Sequence, residues 1–170
     1  MDFEKLKDLI KAASKATFEN LKIKHLNETL TGYALCTDDG AMTIYHIATT
    51  QQWAEKGGNF ELEFSPVQWQ YSDNGSFFDE AYELIMKRVE RQDDEENEGK
   101  FQELVDRTFS IFVSALLELR AEGVFSESVF LSVLSTDPSD HMLELENKAN
   151  RELNSSLLFS KWEVWCGQYT

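Results

Sequence analysis

The stretch Phe101–Leu134, FQELVDRTFSIFVSALLELRAEGVFSESVFLSVL, decides the fold class. Its first two thirds repeat apolar residues at helical spacing. Phe101, Leu104, Val105, Thr108, Phe109, Phe112, Ala115, Leu116 and Leu119 line one broad face, and Ile111, Val113 and Leu117 widen it. A helix apolar over so much of its circumference belongs in the middle of a core. Gly123 closes it, and Val129–Leu134 then changes to a β-type run. That strand needs a sheet to join, so its partners must lie elsewhere in the chain.

Upstream, Thr29–Thr37 is rich in β-formers around Tyr33 and Leu35, Asp38-Asp39-Gly40 is a turn signal, and Met42–Ala48 supplies a returning strand. Together they predict a β-hairpin, the partner for Val129–Leu134. Tyr33 and Leu35 point to one face, Ala34 and Cys36 to the other, so both faces of the sheet carry apolar side chains in need of cover. Before the hairpin, Phe3, Leu6, Leu9, Ile10, Ala13, Thr17 and Leu21 recur at three- and four-residue steps and predict an amphipathic helix over 3–24, capped by Asp2.

After the hairpin, Thr49 or Thr50 caps a short helix through Trp53 to Lys56, which Gly57-Gly58 ends. Phe60, Leu62 and Phe64 alternate with glutamates as a short strand would, and Pro66 opens a helical turn. Ser76 with Asp79 resembles a capping box for a helix through Tyr82, Ile85 and Val89. Asp93–Gly99, seven residues without an apolar side chain, is a solvated loop leading to the long helix. Asp137-Pro138 starts a last long helix with Asp137 as N-cap, and the aromatic tail Leu157–Trp165 packs back on the body. The expected fold is α+β. A small antiparallel sheet, the hairpin plus at least one later strand, packs with four to five helices in one domain over residues 1–170.

The chain holds 31 Asp and Glu against 16 Lys and Arg, a formal charge of −15. Such a field repels nucleic acid and anionic lipid and attracts basic proteins. The charge is uneven. Residues 1–25 carry six lysines against four acids, whereas residues 79–106 carry eleven acids against four bases. With 42% apolar residues and 12% aromatics, the chain folds; it is not a disordered acidic tail. Cys36 and Cys166 are far apart, charged residues follow Met1 where a leader peptide would be apolar, and no apolar run is long enough to span a bilayer. These features point to a reducing cytoplasm with both thiols free.

Catalytic and cofactor signatures do not emerge. His25, His46 and His141 are scattered, and there is no HExxH or Cys-x-x-Cys, so no metal site is expected; Asp137 and His141 share a helical spacing but read as a cap and a surface histidine. No G-x-S-x-G elbow, P-loop or dinucleotide fingerprint is present, so no cofactor is expected. Cys36, mid-strand and without a basic neighbour, reads as an inert packed thiol. What remains is the acidic run. Glu90, Asp93, Asp94, Glu95, Glu96 and Glu98 form either a solvated linker or a contact surface for a basic protein partner, with Trp69 and Tyr71 as aromatic anchors beside it. An enzyme whose site assembles only in the fold would draw on Trp69, Tyr71, His46 and nearby acids.

Ala16-Thr17-Phe18, Asn27-Glu28, Tyr33–Asp38, Ala48-Thr49-Thr50, Ser65–Tyr71, Glu122–Phe125 and Asn154 follow one another in an order and spacing that resembles the bacterial domain-of-unknown-function 4303 family, over about residues 3–158. No activity is established for that family at large, and it supplies no catalytic residues to carry over. Proteins of this size and style are similar to the immunity partners of bacterial polymorphic toxins. The resemblance therefore implies a binding protein, an immunity-type inhibitor of a basic toxin, with a housekeeping adaptor as the alternative.

Overall fold

The computed structural model describes residues 1–56, 62–72, 76–89 and 98–169. The chain runs through α1 (Phe3–Lys24), β1 (Leu30–Thr37), β2 (Tyr45–Thr50), α2 (Gln51–Lys56), β3 (Tyr71–Ser72), α3 (Asp79–Val89), α4 (Glu98–Ala121), β4 (Phe130–Ser135), α5 (Asp140–Leu153) and α6 (Ser156–Tyr169). Short 3-10 turns at Pro66–Gln68 and Ser76–Phe78 precede β3 and α3. The α+β class stands. The strands form one sheet in the order β3-β2-β1-β4.

The sheet is mixed, not antiparallel. β1 pairs antiparallel with β2 and β2 with β3, but β4 lies parallel to β1, with Tyr33 opposite Leu131 and Leu35 opposite Val133. A parallel neighbour needs a long crossover, and here the helices from α2 to α4 lie between the two strands. Strand alternation sends Tyr33 and Leu35 into the main core, where Leu6, Ile10, Phe112, Leu116 and Phe125 meet them. The Tyr33 hydroxyl lies 2.8 Å from that of Thr17, and its ring packs against Phe18 and Phe125. Ala34 and Cys36 face a second cluster with Ile47, Phe64, Trp69, Phe130 and Leu134, flanked by Trp162 and Trp165 of α6. Both faces of the sheet are thus covered.

Several boundaries move. β2 begins at Tyr45, not Met42, because Met42 N donates to Asp38 Oδ1 and Ala41 takes a positive φ of 49°, which holds residues 38–44 in a wide turn. The strand then runs through to Thr50, whose hydroxyl accepts from Trp53 N and so caps α2. Leu62–Phe64 is a turn, not a strand; Phe60 lies outside the described residues, as does the Gly57-Gly58 stop. Ser139, not Asp137, caps α5, accepting from Met142 N. Asp137 instead accepts from Asp39 N, while Asp39 accepts from Ser139 N, a reciprocal clasp between the β1–β2 turn and the β4–α5 link. α4 starts at Glu98, so the end of the expected loop is helical. The aromatic tail is itself a helix, α6. Gly123, at φ 78°, ends the α4 region as its conformation allows.

The outer edge of β4 would leave backbone groups unpaired. Asn154, at the end of α5, answers for one residue of it: Leu131 N donates to Asn154 Oδ1 (2.9 Å), and Asn154 Nδ2 donates to Leu131 O (2.7 Å) and Asn150 O (2.9 Å). This is the pattern a neighbouring strand would make. Gly32 has a different task. A Cβ there would meet Trp69 Cη2 at 2.5 Å, Trp69 Cζ2 at 2.6 Å and Thr49 Cγ2 at 2.9 Å, so the indole lies directly on the β1 backbone.

Gly32→Ala is expected to destabilise the fold by about 1–3 kcal/mol in urea unfolding, the usual scale for overpacking. In the Trp69→Phe background, whose smaller ring vacates the clash, the same change should cost less; additive costs in the two backgrounds would refute the contact.

Candidate functional site

Three of the segments that carry the family resemblance meet at one end of the sheet. α1 stops at His25, and the chain turns at once into β1, bringing Glu28 beside the end of β2. There Glu28 Oε2 accepts from the Thr50 hydroxyl (2.6 Å) and from the Tyr71 hydroxyl (2.8 Å). His25 completes the cluster: its ring lies against that of Tyr71, centroids 4.0 Å apart, and its Nδ1 is 3.7 Å from Glu28 Oε1. The backbone closes round it. Thr29 N donates to the Gln52 side chain, Gln51 N donates to Thr29 O, and Trp53 Nε1 donates to Gln68 O.

The electrostatics of this cluster favour holding over proton transfer. The two hydroxyl donors, Thr50 first, keep the Glu28 carboxyl below its ordinary value, so it stays ionised at neutral pH. Burial, and the Glu28 carboxylate that accepts its proton, push the Tyr71 hydroxyl up to about 12. General acid–base work needs a group poised near the operating pH, and these two are moved away from it. Chemically the arrangement is a clasp that ties α1, β2 and β3 together.

The residues expected of a dispersed active site do not converge. His46 is buried and stacks on Tyr33, ring centroids 5.5 Å apart, on the main-core face of the sheet. Trp69 lies on the opposite face, its ring against Phe130. As a partner-binding anchor Trp69 is unavailable: it is only 7% exposed and its Nε1 donates to Leu62 O. Tyr71 is half-buried and committed to Glu28. Of the acidic run, Glu90, Asp93, Asp94, Glu95 and Glu96 lie outside the described residues, while Glu98 opens α4. His141 does not meet Asp137; its Nε2 lies 2.6 Å from Asp106 Oδ1, joining α5 to α4. Among the described residues no group of three or more His, Cys, Asp and Glu could hold a metal ion, and no helix is long and apolar enough to cross a membrane.

Sequence reasoning missed Glu146. This α5 residue accepts from Ser135 N at 2.6 Å, covering β4 two turns away from the Asn154 contact. Burial pushes its carboxyl up to about 7. It lies close enough to raise the Cys36 thiol, which burial already pushes up to about 12 and which is hydrogen-bonded to Tyr45. Cys36 is therefore a protonated, packed thiol, as its strand position implied. A signal was present: Glu146, Asn150 and Asn154 stand four apart, a polar line on a helix face that is otherwise buried beside Met142, Ala149 and Leu153.

The two carboxylates should respond oppositely to pH. Glu28 has a lowered folded-state value, so its contribution is present above 4.5 and lost as pH falls. Glu28→Gln should therefore lower the thermal midpoint at pH 7, with the difference closing at acid pH. Glu146 has a raised value, so ionisation destabilises the fold as pH rises from 4.5 through about 7. Glu146→Gln, which keeps an acceptor for Ser135 N, should raise the midpoint at pH 8 and match wild type below pH 4.5. Parallel melting curves across that range would contradict both assignments.

No curated protein and no solved structure matches the chain. One family does, described as Domain of unknown function (DUF4303), over residues 10–155, a span that takes in Glu28, Thr50, Tyr71, Glu146 and Asn154 and stops short of α6; the chain belongs to that family.

Proposed function

We propose that the protein is a binding module for a basic protein, acting as an immunity-type inhibitor of a cationic bacterial toxin. The carrying observation is the −15 charge. Two of the six N-terminal lysines are already paired within the fold with the end of α4, while Lys5, Lys15, Lys22 and Lys24 stay exposed. Lys7 and Lys11 of α1 turn onto α4, where Lys11 Nζ meets Glu118 and Glu122 at 2.7 Å each and Lys7 Nζ meets Glu118 at 3.0 Å. These contacts raise the Lys11 ammonium and lower the Glu118 carboxyl, so both remain charged and paired. Asp79, Glu80 and Glu83 are exposed on α3, the helix that leads toward the acidic run.

A nuclease-type toxin is cationic because its substrate is anionic, and clustered carboxylates can occupy the surface that the substrate would use. The clasp at Glu28 then belongs to the scaffold, and the recognition chemistry to the acidic exterior. Electrostatic complementarity of this kind acts mainly on association rate.

A basic toxin encoded beside this chain's gene is the probe. Co-expression should protect the host from that toxin, and stopped-flow association should slow with added salt. Neutralising Asp93, Asp94, Glu95 and Glu96 to Asn and Gln should slow association about tenfold at low ionic strength and flatten its salt dependence. Unchanged kinetics would exclude the run as the contact, and failure of the wild-type chain to protect would exclude the immunity reading.

A further inference from the structure

α6 lies outside the span that matches the family, and it presents an unusual surface for so acidic a protein. One face of the helix, from Leu157 through Lys161 and Val164 to Gln168, forms a wall of an open groove of about 430 Å³. The Glu63–Phe64 turn also lines it, as does Trp165, which packs on the second core cluster. Leu157 and Val164, two helical turns apart, stand 68% and 62% exposed at this groove. The patch therefore contains both protruding aliphatic side chains and a hollow to receive them.

Two observations specify the occupant. The first is charge. The fourteen residues of α6 include one lysine and one glutamate, Lys161 and Glu163, a neutral stretch in a chain of −15. A partner drawn by the acidic field would find no excess charge to pair with here, whereas a second acidic body could approach at a neutral seam. The second is self-complementarity. A two-fold interface uses the same patch on both subunits, so that patch must hold knob and hole together. Glu63 and Lys161 both line the groove and attract one another within one copy, so the seam carries no uncompensated charge.

We propose that this groove is a self-association surface, on which α6 of one copy packs antiparallel against α6 of a second, Leu157 and Val164 of each entering the groove of the other. A seam one helix long, about 21 Å, is smaller than a standard protein interface, so the dimer is weak, on the order of micromolar or above. Its salt dependence is opposite to that of a basic partner. Screening the repulsion between two chains of −15 strengthens it.

The test is sedimentation equilibrium of the whole chain up to about 200 μM, in about 50 mM and about 500 mM NaCl. The mass should rise from 19.6 kDa toward twice that value, with the larger dimer fraction at high salt. Val164→Asp and Leu157→Asp, at exposed positions, should each weaken association at least about tenfold while far-ultraviolet circular dichroism stays unchanged. Asp79→Asn on α3 should leave the dimer constant unchanged. A monomer at all concentrations and both salts, a dimer that Val164→Asp leaves intact, or a dimer that salt dissociates would each overturn the proposal. The measurement needs no basic partner, so its result is independent of the immunity reading.

Discussion

The outer edge of β4 is where this fold is either completed or left open. β4 is the last strand of the sheet, and among the described residues nothing pairs with its outer side as a further strand. Buried backbone groups left without partners cost about as much as lost hydrogen bonds, and an open edge invites pairing with another chain. α5 resolves this with side chains. Asn154 serves both polar groups of Leu131, and Glu146 takes the amide of Ser135 at the other end of the strand. Because the same helix buries Met142, Ala149 and Leu153 in the main core, sealing the edge and closing the core are one event. Asn150, between the two sealing residues on that line, is also buried, and its Oδ1 has no partner among the described residues.

Much of this architecture could be read from residue patterns. The three-and-four spacing from Phe3 to Leu21 marks α1 to the residue, and the apolar breadth around Phe112 marks α4 as the central helix. These are local, periodic signals that survive in tertiary structure. The direction of β4 was not legible, since an apolar run such as FLSVL is the same in either orientation and the choice is made by the crossover that precedes it. The cap of α5 was misplaced for a related reason. Asp137 has the right chemistry, but Asp39, ninety-eight residues earlier, competes for it. α6 was hidden by its composition, because its aromatic residues suggest packing of any kind and carry no strong stripe. The Glu28 clasp was half visible. Glu28, Thr50 and Tyr71 each sat in a segment singled out by order and spacing, yet only the fold shows that the three touch.

The structure also changes how the charge is read. Residue counts suggest a basic N-terminal helix set against an acidic middle. In the fold, two of the six lysines, Lys7 and Lys11, pair with Glu118 and Glu122, so part of that contrast is spent on a seam between α1 and the end of α4. A second contrast stands beside it, between an acidic chain and the neutral helix α6. Acidic and neutral surfaces select partners by different physics, the first by long-range attraction and the second by shape and burial, so one small domain can support two independent contacts.

The parallel pairing of β1 with β4 has a consequence for how the protein is made. β1 ends at Thr37 and its neighbour at the sheet edge, β4, ends at Ser135. During synthesis at ordinary rates, the side of β1 that β4 will occupy stays open for on the order of five to twenty seconds after β1 has emerged. Through that interval Tyr33 and Leu35 lack α4, and the hairpin with β2 is an unfinished sheet. The nascent chain, and not the finished domain, is then the state most exposed to wrong pairing. Selection on codon speed or chaperone access would act on the stretch between α2 and β4, even though that stretch contributes none of the strands it separates.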